Sequence, residues 1–179
     1  PEQLWNTAHA LGDGVAIREK HLGVWQEVSW LEYLGHVRRC ALGLVALGVR
    51  PGDRVAVQAE NCQEWLYADL GIQCAGGVVV TVYPTSSTEE VRYILEDSGA
   101  RFLIAGDQEH LDKALELADA GVTLDHIVVF DPKGSREHRA TGRVRSYKDL
   151  EALGAKLEAE DAGRFERMVR AVTPDTLYD

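Results

Sequence analysis

The run Val78-Val79-Val80-Thr81-Val82 constrains this chain more than any other stretch, because every residue in it is β-branched and none is charged. Side chains of that kind are stiff at χ1 and pack well on a pleated sheet. A strand with one wet face alternates apolar and polar residues. An unbroken apolar run is the pattern of a strand covered on both faces, which points to a parallel sheet with helices on either side. The flanking residues agree. Gly76-Gly77 stop the helix-like segment before it, and Pro84 follows, where a missing N–H ends ladder pairing. Ser87 and Glu90 then form a capping box ahead of Val91, Ile94 and Leu95, and Gly99 closes that helix.

The same alternation runs through most of the chain. Val15 to Arg18 and Val24 to Val28 read as a small hairpin about His21-Leu22-Gly23. Ser29 and Glu32 form a capping box before a helix with Trp30, Leu34, Val37, Ala41, Leu44 and Val45 on one face, ended by Gly48. Pro51-Gly52 marks a turn, Arg54 to Gln58 a buried strand, and Trp65, Leu66, Leu70 and Ile72 the apolar face of the next helix. Arg101 to Ala105 and His126 to Phe130 are further strands, separated by a helix that Asp107 caps and Leu111, Ala114, Leu115 and Ala118 bury. Asp131 to Arg145 is polar and reads as a surface loop, and Ser146 opens a helical stretch with glycine breaks at Gly154 and Gly163. The expected fold is α/β: an open, largely parallel sheet with flanking helices. The expected layout is one unit over 1–179, with a core to 130, a surface loop over 131–145 and a helical extension over 146–179.

Charge and composition exclude some functions. A net charge of −10 over 179 residues disfavours a nucleic-acid partner, which requires clustered Lys and Arg. No apolar run reaches the roughly 18 residues of a membrane span, and the N-terminus shows no basic region followed by an apolar one. Cys40, Cys62 and Cys74 are far apart, with no Cys-x-x-Cys pair, and read as buried thiols in a reducing, cytoplasmic setting. Cys62 is the one expected to be most exposed. The six histidines have no metal-ligand spacing, and no nucleophile elbow is present.

The segment Thr81 to Thr88 is the candidate site. Tyr83, Thr85, Ser86 and Ser87 lie just past the carboxyl end of a parallel-type strand, where ligands bind in open α/β sheets. The competing reading is that Pro84 ends the strand and the hydroxyls cap the next helix. Pro132-Lys133-Gly134 imitates the tail of a phosphate loop, but Val128-Val129-Phe130-Asp131 precedes it in place of a Gly/Ser/Thr-rich run.

Several ordered pieces resemble one family. Val28-Ser29-Trp30-Leu31-Glu32-Tyr33, the stretch Ala46 to Ala56 with its Leu-Gly and Gly-Asp pairs, Asn61-Cys62-Gln63-Glu64-Trp65 and Tyr83-Pro84-Thr85 are together similar to the N-terminal portion of long-chain fatty acyl-CoA synthetases. Those enzymes belong to the adenylate-forming (AMP-binding) superfamily. The resemblance implies a parent enzyme that joins a long-chain fatty acid to CoA with ATP and Mg2+, through an acyl-adenylate, releasing AMP and pyrophosphate. Their place past the strand end makes Tyr83 and Thr85 the expected substrate-proximal residues. The resemblance assigns no catalytic, cofactor-binding or metal-binding residue, because the family's phosphate loop, its later motifs and its C-terminal lid have no counterpart here. A segment like Val172 to Leu177 would precede that loop in the family, so the expectation is an N-terminal piece that is inactive alone and binds no cofactor strongly. A sheet edge left bare by such a piece would favour self-association. A homodimer and peripheral membrane contact are left open, as are a freestanding noncatalytic binding or assembly module and a synthetase for another carboxylic acid.

Overall fold

The structure, a computed structural model, describes residues 1–173; Pro174-Asp175-Thr176-Leu177 and the terminal Tyr178-Asp179 lie outside the described residues. The chain opens with helix α1 (Glu2–Leu11), which the sequence pattern does not reveal: only Leu4 and Ala8 are buried and no side chain caps it. Strands β1 (Val15–His21) and β2 (Val24–Ser29) pair antiparallel as a separate ribbon. Leu22 and Gly23 at its tip both have positive φ, +47° and +83°, the backbone of a type I′ turn.

Ser29 caps α2 (Trp30–Ala46), with Glu32 completing the box. Gly48, at φ +100°, lets its own N–H and that of Val49 reach the carbonyls of Val45 and Leu44, which ends the helix. The main sheet then builds from β3 (Arg54–Gln58), α3 (Gln63–Cys74), β4 (Val78–Val82), α4 (Thr88–Ser98), β5 (Phe102–Ala105), α5 (Gln108–Asp119) and β6 (His126–Val129). It ends with α6 (Arg136–Ala140), β7 (Val144–Ser146), α7 (Tyr147–Glu160) and α8 (Arg164–Ala171). Its strand order is β4-β3-β5-β6-β7, all parallel.

The strands divide two cores by period 2. Val55, Val57, Phe102, Ile104 and Val128 face a core shared with Val37 and Cys40 of α2, Ile72 of α3, Leu150 of α7 and Phe165 of α8. Ala56, Leu103, Ala105, Ile127 and Val129 face the other, with Val91 and Leu95 of α4 and Leu111, Ala114, Leu115 and Leu117 of α5. The layers are therefore helix, sheet, helix.

Four expectations change. The run Val78–Val82 is an edge strand: Val78, Val79 and Val80 are half-buried and Thr81 is exposed, because β3 covers one side only. The stretch 131–145 is not a surface loop throughout, since it holds α6 and part of β7, whose Val144 and Ser146 are buried in the sheet. Its polarity reflects the short strand, which needs few apolar residues. Gly154 does not break α7. It lies inside the helix, where an added Cβ would collide with the backbone carbonyl of Arg39. In α3 the buried face is Tyr67, Ala68, Gly71 and Ile72, whereas Leu66 is 38% exposed.

Candidate functional site

The chain leaves β3 through α3 on one face of the sheet to reach β4. It then returns through α4 on the other face to β5, on the far side of β3. The connections after β3 and β5 thus part to opposite faces, and the gap between their carboxyl ends is a topological switch point. A cleft of about 390 Å3 lies there, lined by Ala59, Glu60, Cys62, Gly106, Asp107 and Phe130 among others. Its floor is narrow because Gly106 approaches Ala59 closely: a Cβ on Gly106 would stand 2.8 Å from that of Ala59. The larger cleft, about 730 Å3, sits at the amino ends of the strands, among Arg54, Arg101 and His126. There Arg54 donates to the carbonyls of Ser98 (2.8 Å) and Gly52 (3.2 Å) and Arg101 pairs with Asp125 (2.7 Å), so these two cations already serve backbone carbonyls and a carboxylate.

Next to the switch point stands the loop after β4. Ser86 N–H donates to Tyr83 O at 3.1 Å, closing a turn with Pro84 and Thr85 at its corners. Thr85 does not have positive φ, so the turn is type I, with proline at its preferred position. Side chains from other elements hold the loop by its carbonyls. Gln58 Nε2 donates to Tyr83 O (3.3 Å), His110 Nε2 to Pro84 O (3.1 Å) and Lys113 Nζ to Ser86 O (3.1 Å). Gln58 is fully buried and His110 is 4% exposed, so these are interior anchors. Since a carbonyl only accepts, Nε2 of His110 carries the proton. Asp107 caps α5 through His110 N–H, and its Oδ1 lies 2.8 Å from Nδ1 without a hydrogen bond to it. With its backbone tied down, the loop presents Tyr83, 75% exposed, and the exposed Thr85 outward. Ser87 and Glu90 are engaged in capping α4, so that part of the segment carries the helix-start reading.

Tyr83 and Thr85 therefore share one ledge at the carboxyl end of the sheet. Gln58, His110 and Lys113, which fix that ledge, and Glu60 and Gly106, which shape the cleft, are not singled out by the sequence, and Asp107 is marked there only as a helix cap. The available signals were a glutamine closing an apolar strand and a glycine directly after β5.

The chemistry of the cleft is acidic. Glu60, Glu64, Asp107 and Asp131 line it, and Lys133 pairs with Asp131 at 3.1 Å. The Lys133 backbone N–H and amine hold the Asp131 carboxyl below its ordinary value. Ser135 N–H donates to Pro132 O at 3.2 Å, so Pro132-Lys133-Gly134 forms a turn, with the Lys133 amine engaged by Asp131. Burial pushes the Cys62 thiol up to about 11, which keeps it protonated and non-nucleophilic near neutrality. Cys40 and Cys74, deeper still, are raised to about 12. No group of His, Cys, Asp and Glu suited to a metal ion occurs among the described residues. No helix among them is long and apolar enough to cross a membrane.

The family model described as AMP-binding enzyme matches residues 4–177. The long-chain-fatty-acid–CoA ligase FadD15 of Mycobacterium tuberculosis is 39% identical over 137 residues, which are 76% of this chain and 23% of that protein. The uncharacterized protein Rv1549 of the same organism is 35% identical over 130 residues, 73% of this chain and 71% of that one. The chain thus spans under a quarter of the ligase but most of the short relative. In structure, it superposes on the adenylation and carrier didomain of a carboxylic acid reductase from Segniliparus rugosus, solved in complex with AMP. The TM-score is 0.75 at 18% identity, over 86% of this chain and 26% of that one, a likeness of fold.

Proposed function

This chain belongs to the AMP-binding enzyme family, whose members form acyl-adenylates, and on that premise we propose that it is the N-terminal α/β portion of a long-chain fatty acid–CoA ligase. The single observation that carries the reading is the 39% identity to FadD15 over 76% of this chain. The proposed parent converts a long-chain fatty acid, ATP and CoA to acyl-CoA, AMP and pyrophosphate. A carboxylate is a poor electrophile, and adenylation supplies it with a leaving group that the CoA thiol then displaces.

The described residues do not fit the polyphosphate or Mg2+ of that reaction. The switch-point cleft is acidic, its lysine is already paired, and a glycine-rich backbone cradle is lacking among them. No catalytic step is therefore assigned to them. The role proposed for this portion is positional. The ledge of Tyr83 and Thr85, tied down by Gln58, His110 and Lys113, forms part of the wall beside the substrate. The free thiols Cys40, Cys62 and Cys74 support a reducing, cytoplasmic setting.

The purified 179-residue chain, given ATP, Mg2+, CoA and palmitate, is expected to yield no acyl-CoA above a protein-free blank. Turnover by this chain alone would overturn the positional role. A chain-length profile of the complete polypeptide tests the substrate, and a preference for aryl or short acids would sink the long-chain assignment. One observation favours a second reading, a freestanding noncatalytic module: the chain covers 71% of the short relative Rv1549. A stop codon directly after Asp179 in the gene would support that reading over the first.

A further inference from the structure

The two ends of the sheet carry opposite charge. At the switch point Glu60, Glu64, Asp107 and Asp131 surround one paired lysine. The cleft of about 730 Å3 at the amino ends holds Arg50, Arg54 and Arg101 against Asp53 and Asp125. That is three cations against two carboxylates, in a chain of net charge −10. His126, in the same wall, adds no charge near neutrality. Burial first, and then the Arg145 charge, hold its pKa below the ordinary value.

Helix capping accounts for one of the three arginines. Arg54 donates from Nε to Ser98 O and from Nη1 to Gly52 O, which serves the carbonyl end of α4. Both acceptors are neutral, so they fix the guanidinium in place and leave its charge intact. Arg101 gives Nη2 to Asp125 in an exposed pair, of the kind that contributes little to stability. Arg50 donates its backbone N–H to Asp53 at 2.7 Å, while its guanidinium makes no ion pair among the described residues.

Placement makes the grouping costly. Val55 pairs with Phe102 in register, so Arg54 and Arg101 stand one residue earlier at neighbouring positions, where strands lie about 4.8 Å apart. Like charges side by side repel, and a cleft walled by protein concentrates their field. An anion between them relieves that repulsion. A guanidinium also presents a planar fork of N–H groups that matches the oxygens of a phosphate.

We infer that this cleft binds a compact oxyanion of the phosphate class through Arg50, Arg54 and Arg101. Arg54, tied to two carbonyls, is the fixed contact, and the exposed Arg50 and Arg101 are the adjustable ones. The site lies at the opposite end of the strands from Tyr83 and Thr85, so its anion takes no part in chemistry at that ledge. Bound there, it links the turn after α2 to the starts of β3 and β5 and stabilises the fold. The inference stands on this cleft alone and does not depend on the ligase reading.

The test titrates the 179-residue chain with sodium phosphate, and separately with sodium pyrophosphate, at an ionic strength held constant with sodium chloride. The amide resonances of Gly48, Arg54, Gly99 and Arg101 are expected to shift saturably while those of Tyr83 and Thr85 stay in place. The urea midpoint should rise with ligand. Arg50→Gln combined with Arg101→Gln should weaken binding at least about tenfold, through the loss of charge-assisted hydrogen bonds. The ligand-free midpoint of that variant should change little, because both side chains are exposed. Arg54 is left in place, since it also serves the end of α4. Lys133→Gln, which removes an exposed cation at the other end of the sheet, should bind as the wild type does. Shifts that chloride alone reproduces, a titration without saturation, or equal affinity in the double variant overturn the inference. So do shifts centred on Tyr83 and Thr85, since the anion would then belong to the other end of the sheet.

Discussion

Two glycines show how much a single residue can decide. α2 and α7 run antiparallel and meet where Gly43 faces the backbone of Leu150 and Gly154 faces that of Arg39. At both places a Cβ would collide with backbone, which cannot swing aside as a side chain can. Around this contact Arg38 pairs with Glu158 at 2.8 Å and His36 with Glu151 at 2.7 Å. Ala is the better helix former by about 1 kcal/mol, so Gly154→Ala should stabilise an uncrowded helix. Here overpacking, which costs about 1–3 kcal/mol before that gain is subtracted, is expected to win and lower stability. Urea unfolding measures it, and a midpoint unchanged or raised would mean that the helices have room. The sequence presents Gly154 as a helix break because its partner, Arg39, is remote along the chain. Gln58 and His110 escaped notice for the same reason: what they anchor is a loop on another element.

At the scale of elements, local chemistry was the reliable guide. The capping boxes Ser29/Glu32 and Ser87/Glu90 start α2 and α4 as their spacing requires, and Ser146 with Asp149 does the same for α7. Each carboxylate accepts hydrogen bonds at a helix start, which lowers the pKa of Glu32 and Glu90 through the Ser29 and Ser87 backbone first, and of Asp149 through the Ser146 hydroxyl first. A pKa depressed in the folded state gives stability that is present above the unfolded value and lost as pH falls through the folded one. The urea midpoint should therefore decline as pH drops below the ordinary glutamate value of 4.5. Replacing Glu32→Gln, Glu90→Gln and Asp149→Asn together should lower the midpoint at neutrality and flatten that acid limb. An equally steep limb in the variant would show that other carboxylates carry it. The run Val78–Val82 was legible as a strand but not as an edge, because composition reports what a strand can bury and topology decides what covers it.

Across the whole molecule, residues 131–173 belong to the same structure as the rest. β7 extends the sheet, and Tyr147, Leu150, Phe165 and Val169 join the core made by α2 and α3. A chain ending at Phe130 should therefore lose cooperative unfolding and near-UV circular dichroism while keeping much of its helix signal. A sharp two-state transition in that shorter chain would instead make the later segment dispensable. The sequence by itself determined the α/β class, the order of most strands and helices, the caps and turns, and the position of Tyr83 and Thr85 just after a strand. All of these depend on neighbours a few residues apart, through periodicity, capping and backbone preference. Only the tertiary structure decided that β4 is an edge, that α7 packs across α2, and that the loops after β3 and β5 part to form the cleft. It also decided which side chains hold the Tyr83–Ser86 turn. These depend on contacts between residues distant in sequence, whose geometry is fixed when the layers pack and leaves no local periodic trace.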